Sequence, residues 1–242
     1  MAVIHLIQQG KGGVGKSMIA SFLYQALLHF GKNVVVFDTD PVNATLAGFK
    51  EFSVCRKEII KGGNIDPRAF DELLDSINDL PSDSHAIVDN GASSFVALSA
   101  YLQENEIIPL FQENGHTIYL HTVITGGQAI GDTVSGLKSL AENFPTAPII
   151  VWLNTYFGAI AMDGKTFEEF KVYQEYAEQF QATITLPEGN RSTIGKDLED
   201  MLAKRQSFAT AMNACQSIIV RSRLQRYWNT LLAAINAAQI TQ

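Results

Sequence analysis

The chain has 242 residues, 46% of them apolar and 18% charged, and carries a net charge of −7. This length and apolar content suit one α/β domain with a buried core and exclude a disordered chain, and the acidic balance excludes a protein coated over its whole surface with nucleic acid. Two isolated cysteines, Cys55 and Cys215, have no metal spacing, no apolar run reaches the ~18 residues of a membrane span, and the N-terminus has no secretory pattern, so a cytoplasmic protein in a reducing compartment is expected.

Residues 3–7 are a short apolar run that reads as a strand. Residues 18–30 place Ile19, Phe22, Leu23, Ala26 and Leu27 at helical spacing, and Gly31 stops the helix. Between them lies Gly10-Lys11-Gly12-Gly13-Val14-Gly15-Lys16-Ser17, two glycines separated by four residues and followed by Lys and Ser. This is the phosphate-binding loop pattern in its required strand–loop–helix setting. Glycines let backbone N–H groups turn inward around phosphate oxygens, and the helix that follows adds its positive N-terminal end. Lys16 is expected on the β- and γ-phosphates and Ser17 on Mg²⁺. Gly10, Gly12, Gly13, Val14, Gly15 and Met18 complete the expected cradle.

Residues 33–37 are apolar and β-branched and read as a buried strand. They end at Asp38-Thr39-Asp40-Pro41, which puts two carboxylates on the edge where open α/β sheets bind ligands. Asp38 and Asp40 face the same way if the strand continues that far. An ATPase needs such groups to hold the metal's waters and to orient the attacking water; an Asp-Pro turn capping the next segment also fits. Lys61-Gly62-Gly63-Asn64 reads as a turn. Asp66-Pro67 reads as the start of a helix with Phe70, Leu73, Leu74 and Ile77 on one face. Residues 86–91, Ala-Ile-Val-Asp-Asn-Gly, resemble a Walker B strand followed by switch II. That resemblance puts Asp89 on Mg²⁺ and the Gly91 backbone near the γ-phosphate, where only glycine leaves room. A helix follows with Phe95, Leu98, Tyr101 and Leu102 inward.

Residues 106–111 and 117–125 both read as strands. His116 and His121, which flank or lie in the second, lack metal partners at the right spacing and read as structural. Residues 125–128 form a turn before an apolar helix that reaches Phe144. The strand at 149–154 ends in Asn154. Residues 158–170 read as a surface loop, and Phe170, Tyr173, Tyr176 and Phe180 as a core-facing aromatic stripe. A last strand at 182–186 ends at Pro187. Residues 198–202 and 217–235 are helical in pattern. Arg221, Arg223 and Arg226 form the densest basic cluster, and Tyr227, Trp228, Leu231, Leu232 and Ile235 an apolar face. This helix suits packing on the domain with solvated arginines, or non-specific DNA binding. A membrane-surface role is disfavoured, because residues 227–242 contain no Lys or Arg. With no repeat or linker visible, residues 1–242 read as a single P-loop domain.

Lys11 sharpens the reading. Lys11-Gly12-Gly13-Val14-Gly15-Lys16-Ser17 resembles the deviant Walker A loop of the ParA/MinD family of ATPases, and Asp38-Thr39-Asp40-Pro41 resembles that family's switch I. The resemblance covers most of the chain, through switch II at 89–91, Asn154 and Pro187. It implies a doubly wound α/β fold with a mostly parallel sheet of about seven strands. It also implies bound ATP and Mg²⁺, and a homodimer closed over ATP in which Lys11 crosses to the partner's phosphates. Lys11, Lys16 and Asp40 become the catalytic residues, with Asp40 positioning water. Ser17, Asp38, Asp40 and Asp89 become the metal set, Asn154 the adenine-recognising amide and Pro187 a wall against the base. The family usually has Gln after the switch I proline, where this chain has Val42. Signalling GTPases have Asn-Lys-x-Asp where this chain has Asn154-Thr155-Tyr156-Phe157, which argues against guanine. Residues 9–17, 38–45 and 88–95 also resemble the plasmid StbB/TraL type within the group, which implies a role in plasmid stability or conjugative transfer, slow partner-stimulated turnover and a plasmid-encoded protein partner. Two other readings stay open. A metabolic P-loop enzyme, for phosphoryl transfer or ligation, would need a second small-molecule pocket. An iron–sulfur carrier would need cysteines paired at a dimer interface.

Overall fold

Parallel strands need long crossovers, and this chain supplies them mainly as helices. The computed structural model describes residues 1–241 without Val42 and Gly63, so the residue after the switch I proline and one residue of the expected 61–64 turn lie outside the described residues. The first half runs β1 (Val3–Ile7), α1 (Lys16–His29), β2 (Asn33–Asp38), β3 (Val54–Arg56), a small hairpin of β4 (Ile60–Lys61) and β5 (Asn64–Ile65), α2 (Pro67–Asn78), β6 (Ser84–Asp89), α3 (Phe95–Glu104) and α4 (Ile107–Glu113). The second half runs β7 (Thr117–Thr125), α5 (Ile130–Asn143), β8 (Ile149–Asn154), a hairpin of β9 (Ala161–Met162) and β10 (Lys165–Thr166), α6 (Lys171–Tyr176), β11 (Phe180–Thr185), α7 (Lys196–Ala203), α8 (Phe208–Ala214) and α9 (Ile218–Ala237).

Seven strands form one sheet in the order β11-β8-β7-β1-β6-β2-β3, and every neighbouring pair is parallel. The expected doubly wound sheet is therefore present and wholly parallel. Helices α2 to α6 pack their apolar residues on one face, and α1, α7, α8 and α9 on the other. Covered on both faces, β6 and β8 are buried along their whole length, which is why β8 is a nearly continuous apolar run and β6 carries Ala86, Ile87 and Val88 in succession rather than alternating with polar residues. β1 lies between β7 and β6, where the winding reverses, and ligands bind at the strand C-termini beside such a switch point.

Three stretches depart from the sequence expectation. Residues 106–111 are not a strand but the start of α4. Ile107, Ile108 and Phe111 are buried on one helical side, and Pro109 sits in the first turn, where its missing N–H is harmless. Residues 158–170 are not simply a surface loop. Asp163 and Gly164, both at positive φ, turn the β9–β10 hairpin, and Phe167 and Phe170 plug into the core behind it. Helix α8 has no counterpart in the expected elements. Ser207 caps it, with Oγ accepting from Thr210 N at 3.1 Å, and Glu51 accepts from the Ser207 N–H, the Ser207 hydroxyl and the Thr210 hydroxyl.

Tyr227, Trp228, Leu231, Leu232 and Ile235 of α9 are buried against the domain, while Ile218 and Ile219 at its start are exposed. Trp228 stacks on Phe208 at 4.6 Å, and Tyr227 meets Phe22 of α1. Among the described residues no helix is long and apolar enough to cross a membrane. The expected aromatic stripe of Phe170, Tyr173, Tyr176 and Phe180 packs against the core. His116 accepts from Ala2 N and faces Asn78, and His121 lies in a buried chain of hydrogen bonds, so both have structural contacts.

Candidate functional site

The first crossover creates the site. β1 ends at Ile7, and the backbone from Gly10 to Gly15 folds over the N-terminus of α1. Two positions demand glycine. Gly13 (φ 75°) and Gly15 (φ 106°) adopt the left-handed conformation, and a Cβ on Gly15 would also lie 3.2 Å from the Asn154 amide. The loop is braced from behind. Asn154 Nδ2 donates to Val14 O at 2.9 Å, Phe95 packs under Gly10, and Gln9 Nε2 donates to Thr122 Oγ1, Val123 O and Thr133 O. Lys16 curls back so that Nζ donates to Lys11 O at 3.2 Å. Burial lowers its pKa, against the raising pull of Asp89 and Asp40.

A cleft of about 520 Å³ opens over this loop, lined by Gly12, Gly13, Gly15, Lys16, Ser17 and Met18 on one side and by Asp40, Asn43, Ala92 and Ser93 on the other. A second cavity of about 320 Å³ continues from it, sharing Gly13, Gly15 and Met18. Leu186, Pro187, Tyr156 and Ile194 give it an apolar wall, and the Arg191 guanidinium lies over the Tyr156 ring at 5.1 Å. A polyanion-binding half thus opens into a flat apolar half, the shape that a nucleotide's phosphates and base require.

Asp89, at the end of β6, is the chemically most strained group in the site. It is 1% exposed and neither carboxylate oxygen makes a well-formed hydrogen bond. Burial pushes its pKa up to about 7. The nearby Ser17 hydroxyl and the Lys16 charge pull it back, while Asp38 and Asp40 push it further up. A buried carboxylate left unsatisfied beside a hydroxyl and a phosphate loop is the donor set a hard divalent cation completes, so Asp89 and Ser17 fit Mg²⁺.

The other expected residues make contacts of their own. Asp38 is buried at the end of β2. Oδ1 accepts from Asp40 N at 3.1 Å and Oδ2 from Ala47 N at 3.0 Å, so it shapes switch I. Burial raises its pKa, and these backbone bonds oppose the rise. Asp40 borders the cleft, and its Oδ1 accepts from Asn43 N at 3.0 Å. Asn154 reaches the base cavity, but its amide also holds Val14 O and accepts from Tyr156 N at 3.1 Å, so bracing the loop is part of its role. Lys11 is paired with Asp132 on α5 at 2.8 Å. Two of the three arginines on α9 are engaged internally. Arg221 donates to Met212 O and Cys215 O, and Arg223 makes a two-pronged pair with Asp197, while Arg226 leans on Ser222 O of its own helix.

Gly91 has a normal extended conformation, and its glycine requirement is steric. An added Cβ would lie 2.8 Å from Asp40 Cγ and 3.2 Å from Asp40 Cα. Overpacking of this kind costs about 1–3 kcal/mol. Gly91→Ala should therefore lower the melting temperature by about 3–10 °C while displacing Asp40. An unchanged melting curve would mean that switch I swings aside without resistance.

A profile of the CobQ/CobB/MinD/ParA nucleotide-binding domain matches residues 5–214. The chain belongs to this family. It is 43% identical over 242 residues to protein TraL of Escherichia coli, covering 99% of this chain and 100% of TraL. Its fold is similar to that of MinD in the MinC:MinD cell division complex of Aquifex aeolicus (TM-score 0.54, 14% identity, 93% of this chain and 95% of that one). It is equally similar to the septum site-determining protein MinD of Pyrococcus horikoshii, solved with Mg-ADP (TM-score 0.53, 15% identity, 100% and 99%). The seven-stranded sheet is thus that of the MinD/ParA P-loop proteins, and the chain is a nucleotide-binding protein of a P-loop ATPase family. The sequence marks the glycines, lysines and carboxylates of such a site. Gln8, Gln9, Thr39, Asn90 and Ser94, all buried polar residues inside or beside the motifs, stand out far less. Their only signal is a polar side chain next to a motif that does not use it.

Proposed function

We propose that the chain is a single P-loop ATPase domain that binds ATP with Mg²⁺, closes as a homodimer over the nucleotide and hydrolyses it. The unsatisfied Asp89 carboxylate, buried beside Ser17 and Lys16 at the phosphate loop, carries this reading. In it, the loop N–H groups and Lys16 hold the phosphates, Asp89 and Ser17 hold the cation, and Met18, Tyr156 and Pro187 enclose the base. Bound Mg²⁺ would neutralise charge on the phosphate oxygens. Asp38 keeps switch I in shape, and Asp40 at the cleft rim orients water. The expectation that Lys11 crosses between subunits fits its present contact. The Lys11–Asp132 pair is exposed on both sides, and pairs of that kind contribute about 0–1 kcal/mol, so releasing the lysine is cheap. Hydrolysis would reopen the dimer and make ATP a timer for plasmid maintenance or conjugative DNA transfer in the cytoplasm, a biological role that rests on the resemblance to TraL. With Arg221 and Arg223 committed to internal contacts, non-specific DNA would be met mainly at Arg226, which favours a plasmid-encoded protein as the assembly partner.

Sizing of the full chain with Mg·ATP and Mg·ADP tests this. Wild type should dimerise with ATP only. Asp40→Ala should accumulate as the ATP dimer, with turnover lowered at least ~100-fold, a loss of about 3 kcal/mol of transition-state stabilisation. Lys11→Ala should remain monomeric with either nucleotide. A Lys11→Ala protein that dimerises and hydrolyses normally would remove the crossing lysine from the mechanism.

A further inference from the structure

Switch I and switch II are laced together at two consecutive residue pairs. Thr39 is fully buried between the two switch I carboxylates. Its N–H donates to Asp89 O at 3.0 Å, and its hydroxyl lies 3.1 Å from the same carbonyl and 3.3 Å from Asn90 Oδ1. Asn90 is itself 1% exposed. Its Oδ1 also accepts from the Ser94 hydroxyl at 2.6 Å, and its Nδ2 donates to Gln8 Oε1 at 3.2 Å. One residue further on, Asp40 lies so close over Gly91 that no Cβ fits between them.

The geometry points to Thr39 and Asn90 as the positioning pair that makes the two switches one body, so that a displacement of switch II by the terminal phosphate is delivered to Asp40. This rests on the nucleotide reading above and adds how the site tells ATP from ADP. A buried amide must keep its partners, because an unmade bond in the interior costs about 1–3 kcal/mol. The Thr39 hydroxyl has one proton to share between Asp89 O and Asn90 Oδ1, both on switch II, so it ties switch I to switch II whichever it favours. Asn90 keeps Ser94, Gln8 and its share of that proton only while the N-terminus of α3, switch I and the segment leading into the phosphate loop keep their present spacing. Gly91 follows Asn90 directly, so its backbone cannot approach a phosphate without carrying the Asn90 side chain along. Thr39 then follows through its hydroxyl and through its N–H on Asp89 O, and Asp40 is the next residue. The glycine at 91 lets Asp40 ride on switch II at van der Waals distance. Neither Thr39 nor Asn90 touches the cleft, so each acts through Asp40 and Gly91.

Hydrogen exchange of the full chain decides this, using wild type, Thr39→Val, Thr39→Ser and Asn90→Ala. Without nucleotide, Thr39→Val removes the hydroxyl at constant shape. It should raise exchange about tenfold in both 43–48 and 91–95, and Asn90→Ala should raise it in the same two segments. Thr39→Ser keeps the hydroxyl and should restore the wild-type pattern. In turnover, Thr39→Val should lower kcat about tenfold or more with KM changed less than about threefold. Its Mg·ADP affinity should hold while its preference for a slowly hydrolysed ATP analogue over ADP falls about tenfold. Exchange that rises in the Thr39 segment alone, or evenly across the sheet, would overturn the inference, as would a Thr39→Ser protein that behaves like Thr39→Val. A wild type without any response to ATP would sink the ATPase reading, and the nucleotide-free exchange would still decide the coupling.

Discussion

Asp89→Asn should make the nucleotide-free protein more stable while destroying its use of Mg·ATP. The carboxylate is buried at the end of β6 with no well-formed hydrogen bond, and burial is the dominant influence on it. A charge held that way is a net burden on the free protein, since the partial compensation from Lys16 and Ser17 does not restore an ordinary carboxyl. Asn has the same shape without the charge. The expected gain is about 2–4 kcal/mol, a rise of about 4–16 °C in melting temperature for a domain of this size. The penalty in function has the same cause, because a neutral amide is a poor ligand for a hard cation. Mg²⁺-dependent ATP affinity should fall about 100-fold or more, an effect of about 3 kcal/mol. Calorimetry without nucleotide, and nucleotide titration with and without Mg²⁺, measure the two halves separately. A variant less stable than wild type would mean that Asp89 is a structural ion-pair partner of Lys16 rather than a cation ligand held ready. Strain of this kind concentrates at functional sites because the surrounding fold sustains it.

What the sequence reveals of this site is what lies close along the chain. The loop from Gly10 to Ser17 is contiguous, Asp38 ends the apolar strand β2 with Asp40 two residues beyond it, and Asp89 ends β6, while the parallel sheet that puts them on one edge is what the family resemblance implies and the structure shows. What it conceals depends on contacts distant in sequence. Lys11 meets Asp132 across 121 positions, and Glu51 holds Ser207 across 156, which is why α8 and its tie to the segment after switch I have no local signature. Asn154 reads as a base-recognising amide, and nothing local in the sequence announces that it also braces the loop through Val14 O. The α9 arginines read as a basic patch until Asp197 and the Met212 and Cys215 carbonyls are found to occupy two of them. At α4 the failure is one of period. Ile-Ile-Pro-Leu-Phe is too short for its apolar spacing to separate strand from helix, and the burial of Ile107, Ile108 and Phe111 decides it.

Acidification from pH 7 to pH 5 should lower the melting temperature by about 5–15 °C, through a feature that no motif announces. Four adjacent strands contribute one buried chain of side-chain hydrogen bonds, from Trp152 on β8 to His121 on β7 at 2.9 Å, to His5 on β1 at 3.0 Å, to His85 on β6 at 3.0 Å. The indole N–H can only donate. His121 Nδ1 must therefore accept, its proton sits on Nε2 and is donated to His5 Nδ1, and His5 Nε2 in turn donates to His85 Nδ1. Each ring is neutral and fixed in one tautomer. Protonating any ring would point an N–H at another N–H. The environment opposes a proton as well. Burial lowers the pKa of His121 to about 3 and that of His85 to about 4, with the Lys32 charge adding to the latter, and lowers His5 well below its usual value with help from its two neighbours. The Tyr119 ring stacks on His5, and no carboxylate is among the groups acting on the three rings. These folded values lie below the unfolded value of about 6.5. Between the two, the unfolded chain binds protons that the native chain refuses, so this contribution to stability is present above about pH 6.5 and is lost as pH falls toward the folded values. At pH 5 the loss is about 2 kcal/mol for His121 and somewhat less for the partly screened His85, and His5 adds to it in the same direction. Protonation of Asp89, whose raised folded pKa stabilises the native chain as pH falls, returns about 2 kcal/mol, so the net loss is a substantial part of an ordinary domain's stability. Ring nitrogen resonances should report Nε2–H tautomers for His5, His85 and His121, unchanged down to the onset of unfolding. One of these rings titrating near pH 6.5, or a flat melting temperature across the range, would break the argument. The chain's strands also carry the phosphate loop, switch II and Asn154 at their C-terminal ends, so acid should release bound nucleotide in the same pH interval in which the sheet loosens.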